Sequence, residues 1–122
     1  MKIFLSYSAI VEGLTGLGLM AFPSLVVNLL LNSTLTAPVA IILSLIAGVA
    51  IFSFALVAWL LRAHPASLIA VKALLFYNLA ISVMLVYGIL KFGFAGLAVW
   101  IVILFHVVQS IISLILISKN KI

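Results

Sequence analysis

Residues Pro38 to Leu61 read PVAIILSLIAGVAIFSFALVAWLL, a run without a single charged side chain. A helix needs about 20 apolar residues to cross a hydrocarbon core roughly 30 Å thick, and this run is long enough. Pro38 suits the first turn of such a helix, where its missing N–H costs nothing. The turn Arg62-Ala63-His64-Pro65 closes the run, and the pattern then repeats in both directions. Downstream, a third apolar run covers about residues 66–90 and stops at Lys91-Phe92-Gly93. A fourth covers about residues 94–117 and ends in the basic tail Ser118-Lys119-Asn120-Lys121. Upstream, Ile3 to Phe22 forms the first run, stopped by Pro23. Lys2 gives that run the look of a signal peptide. It is longer than a usual signal core and contains Glu12, so it reads as a retained first span.

Composition says the same. Of 122 residues, 69% are hydrophobic and 6% charged, against about 25% charged in a soluble domain. Seven charged side chains (six Lys or Arg, one Glu) cannot wet a globule of this size, so the solvent for most of the surface is lipid. The fold class expected is an all-α membrane protein: one domain over residues 1–122, a four-transmembrane-helix up-down bundle. Its spans are about 3–22, 38–61, 66–90 and 94–117. Ser24 to Ser33, SLVVNLLLNS, follows the Pro23 break and sets Asn28 and Asn32 on one helical face. It is expected to form a short interfacial helix. Short turns make neighbouring helices antiparallel, which brings both termini to one side. That side carries Lys2, Arg62, Lys72, Lys119 and Lys121 and the other only Lys91, so both termini are expected in the cytoplasm. Trp59, Tyr87 and Phe92 stand where interfacial anchors belong.

The net charge of +5 does not mark a nucleic-acid protein, because the basic residues are scattered between apolar runs and form no face. There is no cysteine, which excludes disulfides, thiolate metal sites and covalent haem attachment. A bis-histidine haem would need two histidines at matching depth, whereas His106 is mid-span and His64 sits in a turn. No nucleophile motif, phosphate loop or HExxH pattern is present. No cofactor, metal or catalytic residue is therefore expected, and the partner in view is the lipid bilayer.

The informative residues are the polar ones inside the spans. Glu12 is the only acidic residue. It lies about nine residues into the first run, roughly 14 Å deep at about 1.5 Å per residue. An ionisable group at that depth costs several kcal/mol unless paired, hydrated or protonated. Asn78 and His106 lie at comparable depth in the third and fourth runs. Helical phase groups Ser8, Glu12 and Thr15 on one face, Asn78 with Ser82 on another, and His106 with Gln109, Ser110 and Ser113 on a third. Polar stripes turn inward in lipid, which predicts a polar column with Glu12 and His106 meeting at its centre. That pair could be neutral and hydrogen-bonded, or carboxylate and imidazolium. Serine, threonine and glutamine in membrane helices are ordinarily packing glue, so Ser8, Thr15, Ser82, Gln109, Ser110 and Ser113 are supporting residues. Asn78 is expected to hold the other two in place. Ala9, Gly13, Gly16 and Gly48 are small residues at positions suited to close helix approach. His64 reads as a solvated turn residue.

Three strings carry a family resemblance: Ser8-Ala9-x-x-Glu12-x-x-Thr15-Gly16-Leu17, Phe76-Tyr77-Asn78-Leu79, and Trp100 followed six residues later by His106. In this order and spacing they resemble a group of small uncharacterised bacterial four-helix membrane proteins, over nearly the whole chain. The resemblance implies the four-helix fold, a bacterial inner membrane and the choice of Glu12, Asn78 and His106, but no activity. In that group the second helix often carries an Arg three residues before a glycine. Here Leu45 holds that place before Gly48, so any pairing of such an Arg with an acid is missing. A weaker likeness is to small multidrug-resistance exporters, which carry an essential glutamate in their first helix. The last span, with His106, departs from that pattern.

The functional expectation is a non-enzymatic membrane protein whose Glu12–Asn78–His106 cluster takes a proton, a small ligand or a membrane partner. Two rivals stand beside it. One is a proton-coupled transporter working as a homo-oligomer, and the other an accessory subunit of a larger membrane complex.

Overall fold

The computed structural model describes residues 1–120. Lys121, counted above in the basic tail, lies outside the described residues. The described chain is helical: α1 (Lys2–Ala21), α2 (Pro23–Leu31), α3 (Pro38–Leu61), α4 (Ser67–Phe92) and α5 (Val99–Lys119). All but α2 are long and apolar enough to cross a membrane. Large apolar side chains are exposed along all four, among them Ile3, Leu14, Val39, Ile46, Phe76, Leu90, Ile101 and Leu104. In water such a surface would be a severe liability. Against lipid it is the expected exterior.

Helix boundaries follow from local chemistry. Pro23 has no N–H to continue α1, so the chain breaks at Phe22 and restarts with Pro23 in the first turn of α2. Asn32 ends α2 in the left-handed conformation (φ 49°) that asparagine tolerates better than most residues. Gly93 ends α4 the same way (φ 68°), and its N–H donates to the Ile89 carbonyl at 2.9 Å. The second long helix matches its expected bounds. The last one does not: α5 starts at Val99 instead of near residue 94. Residues 94–98 are drawn instead to the end of α2, where the Gly96 N–H donates to the Leu30 carbonyl and the Ala98 N–H to the Leu29 carbonyl, both at 3.0 Å. This contact satisfies two of the carbonyls that the end of α2 would leave orphaned.

The long helices pack mainly as two pairs, α1 on α3 and α4 on α5. Small residues make the first seam. A Cβ on Gly16 would lie 2.8 Å from the Gly48 carbonyl oxygen and 2.7 Å from the Phe52 nitrogen. A Cβ on Gly48 would lie 2.9 Å from the Gly16 oxygen. The two backbones approach as closely as glycine permits. Gly13 is less constrained, facing the Ala55 Cβ at 3.7 Å. Ala9 is buried in an apolar cluster with Leu5, Ala58, Ala70, Val71 and Leu74, which joins the two pairs near the chain start. By contrast, the backbones of α1 and α5 do not come into contact. They are joined by side chains, Ser8 to Gln109 and the tilted rings of Tyr7 and Phe105 with centroids 6.0 Å apart.

Candidate functional site

The polar residues of α1, α4 and α5 are buried where the two pairs meet. Ser8, Glu12, Asn78, Ser82, His106, Gln109, Ser110 and Ser113 all fall in this interior, with Glu12 only 3% exposed and His106 5%. Thr15 is half-buried. Three of these serve their own helix. The hydroxyls of Thr15, Ser82 and Ser110 donate to the carbonyls of Val11, Asn78 and His106, four residues earlier. Ser8 differs, because its hydroxyl lies 3.1 Å from Gln109 Oε1 as well as 3.0 Å from the Phe4 carbonyl. That contact ties α1 to α5.

The central contact differs from the expected one. Glu12 does not hydrogen-bond His106. The Tyr77 hydroxyl donates to Glu12 Oε2 at 3.0 Å, and His106 Nδ1 lies 2.6 Å from Asn78 Oδ1. With a carbonyl oxygen opposite, a neutral His106 places its proton on Nδ1 and donates it. Two contacts thus stand side by side, Tyr77–Glu12 and His106–Asn78. Tyr77 belongs to both by position, since its ring meets the His106 ring edge-on at a centroid distance of 5.7 Å. Phe54 supports Tyr77 from α3 at 5.3 Å, and Phe105 flanks His106 at 5.4 Å.

Tyr77 is the residue the sequence reading left out of the site. It appeared there only as part of a string, next to Asn78. Adjacent residues on a helix point about 100° apart, so Tyr77 reaches α1 while Asn78 reaches α5. A usable signal was present: a phenol in mid-span needs an acceptor, and Glu12 is the strongest acceptor at that depth.

Among the described residues no cation pairs with Glu12. Arg62 is engaged elsewhere, stacked over the Trp59 ring at 3.7 Å and bonded to the Trp59 carbonyl. His64 is also accounted for locally, as its Nδ1 accepts the Ala66 N–H at 3.0 Å in the turn before α4.

Glu12, Tyr77 and His106 share one further property: all three line a single cavity of about 600 Å³. Apart from these and Thr15 its wall is apolar, running from Val11 and Leu19 on α1, past Ile81 and Leu85 on α4 and Val102 on α5, to Val26, Leu29 and Leu30 on α2. Glu12 Oε1 and His106 Nε2 make no hydrogen bond to the described residues, while their sister atoms Oε2 and Nδ1 are engaged. The residues lining this largely apolar chamber therefore include a carboxyl oxygen and a ring nitrogen with no partner among the described residues. Ser8, Gln109 and Ser113 continue the buried polar side chains towards the other end of the helices. There Gln109 Nε2 and Ser113 Oγ are buried without partners, as is Asn78 Nδ2.

No nearby group of histidine and acidic side chains able to hold a metal ion occurs among the described residues. No family model, curated protein or solved structure matches this chain.

Proposed function

We propose that this protein is a non-enzymatic multi-pass membrane protein that binds the polar group of a small ligand at Glu12, Tyr77 and His106. The proposed setting is an up-down bundle with both termini in the cytoplasm, in a bacterial inner membrane. The observation that carries the reading is the pairing of one free acceptor atom on Glu12 with another on His106 at the wall of one cavity. Packing residues buried for stability tend to use up their hydrogen-bonding capacity on one another. Here the most expensive buried side chain keeps an oxygen uncommitted, with no cation among the described residues to balance it. A binding role explains that cost better than packing does.

The test uses phenol and butylamine, small enough to reach the cluster without needing the rest of the chamber. Each is expected to raise the midpoint of thermal unfolding in mild detergent for the parent protein. Neither should do so for Glu12→Leu or His106→Leu. Equal stabilisation of parent and variants would remove the cluster from the account.

A second reading, proton-coupled transport by an oligomer, draws support from Ser8, Gln109 and Ser113, which continue the polar side chains away from the chamber. Glu12→Gln preserves size and hydrogen bonding but cannot titrate. Proton flux in vesicles that survives this substitution unchanged would end that reading.

A further inference from the structure

The chamber has a direction. Its end beside α2 is closed by backbone, because the Gly96 and Ala98 N–H groups are bonded to the Leu30 and Leu29 carbonyls. Packing there is tight enough that a Cβ on Gly96 would sit 2.1 Å from the Leu29 oxygen. Glu12, Tyr77 and His106 line its other end. What remains is the side between α1 and α5, the helices whose backbones do not meet. Two residues of the chamber wall, Leu14 on α1 and Ile101 on α5, are 66% and 71% exposed. They belong to the chamber and to the outer apolar surface at once. A second, smaller hollow of about 300 Å³ continues from Ile101 and Phe105 along α5 past Tyr7. Leu14 and Ile101 place the opening on the belt of apolar side chains that meets lipid.

Resting on the binding role given above, we infer that the ligand is a membrane-dissolved amphiphile with one hydrogen-bond-donating head, an alcohol or an amine, that enters from lipid between α1 and α5. Three observations select this class. A volume of about 600 Å³ falls within the range of sites that enclose a drug-sized molecule. The wall is apolar except at one end, so a chain is accommodated and a second polar group is not. The two uncommitted atoms at that end, Glu12 Oε1 and His106 Nε2, are a carboxyl oxygen and, in the neutral ring that donates through Nδ1, an accepting nitrogen. An ionised carboxylate suits an amine, and the ring nitrogen accepts equally from an alcohol. A ligand arriving from lipid also need not cross the backbone closure at α2.

The experiment is native mass spectrometry of the full chain released from mild detergent, with 1-dodecanol, dodecylamine and dodecyl methyl ether as probes. The ether keeps the chain and the oxygen of the alcohol but carries a methyl in place of the hydroxyl hydrogen, so it cannot donate. The parent protein should retain one molecule of the alcohol, the amine or both, which also tells a neutral from a cationic head. It should retain the ether at least tenfold less. Ile81→Trp, which fills the chamber, should lose the probes. So should Leu14→Trp, placed at the opening on a largely exposed position where folding is not at stake. Ether bound as well as alcohol would overturn the donor-head assignment. Full retention by both tryptophan variants would overturn the chamber and its lateral entry. A dimer that retains no probe would overturn the inference in favour of a second copy as occupant. Loss of probe in the tryptophan variants but not in Glu12→Leu or His106→Leu would leave the chamber standing and sink the polar cluster. Stabilisation by phenol without retention of any long-chain probe would do the reverse.

Discussion

Tyr77→Phe isolates the contact that the sequence did not reveal, and the size of its effect reports the chemical state of Glu12. The substitution removes one hydroxyl, whose bond to Glu12 Oε2 spans 3.0 Å. The ring remains, with its packing on Phe54 and His106 at 5.3 and 5.7 Å. Side-chain hydrogen bonds between membrane helices average about 0.6 kcal/mol and reach about 1.7 kcal/mol. Bonds to an ionised group run higher, about 1.5–3 kcal/mol. A loss of about 0.5–1.5 kcal/mol therefore identifies a carboxylic acid, and a loss of about 2–3 kcal/mol a carboxylate. A double-mutant cycle with Glu12→Leu separates this from any effect of the phenol on its surroundings. Unfolding in mixed micelles, followed by the fluorescence of Trp59 and Trp100, supplies the four free energies. The contact predicts a coupling of at least about 0.6 kcal/mol, above the roughly 0.3–0.5 kcal/mol scatter of independent sites. Additive single substitutions would refute the pairing of Tyr77 with Glu12.

Three further outcomes follow from the packing. Gly16→Ala and Gly48→Ala should each destabilise the protein by about 1–3 kcal/mol or more, because the new methyl meets backbone atoms at 2.7–2.9 Å. Gly13→Ala, with ordinary contact at 3.7 Å, should be tolerated in the same unfolding assay. Gly96→Ala should break the two backbone bonds to α2, worth about 0.5–1.5 kcal/mol each, and speed amide exchange at Ala98 while the long helices keep their protection. Because the chain has no cysteine, a single spin label at Leu85→Cys reads the chamber cleanly. It should relax readily with oxygen and poorly with a water-soluble nickel complex.

Most of the architecture was legible because lipid imposes a simple demand. Runs such as Pro38–Leu61 have only one way to satisfy their backbone in hydrocarbon, and Pro23 and Pro38 mark their breaks. The start of α5 was not legible. Phe94 to Ala98 are apolar enough to extend the helix, and what stops them is a tertiary contact, Gly96 and Ala98 against the end of α2. The same division runs through the site. Depth and phase grouped Glu12, Asn78 and His106, since both are arithmetic on one helix at a time. Which side chain meets which depends on the rotation and spacing of different helices. The small-residue seam at Gly16 and Gly48 draws α1 onto α3, and Glu12 bonds Tyr77 while His106 bonds Asn78. The chamber was invisible for the same reason, being the space left where α1 and α5 do not close.

Glu12 is the only acidic side chain in the protein, so its carboxyl vibration can be assigned by subtracting the spectrum of Glu12→Gln. An infrared difference spectrum of the reconstituted protein with and without 1-dodecanol or dodecylamine interrogates the binding group itself. That carboxyl band should shift with at least one of the two probes, together with a change in the His106 ring modes, and both effects should be lost in Ile81→Trp. A carboxyl band that stays put while a probe occupies the chamber would contradict binding at Glu12.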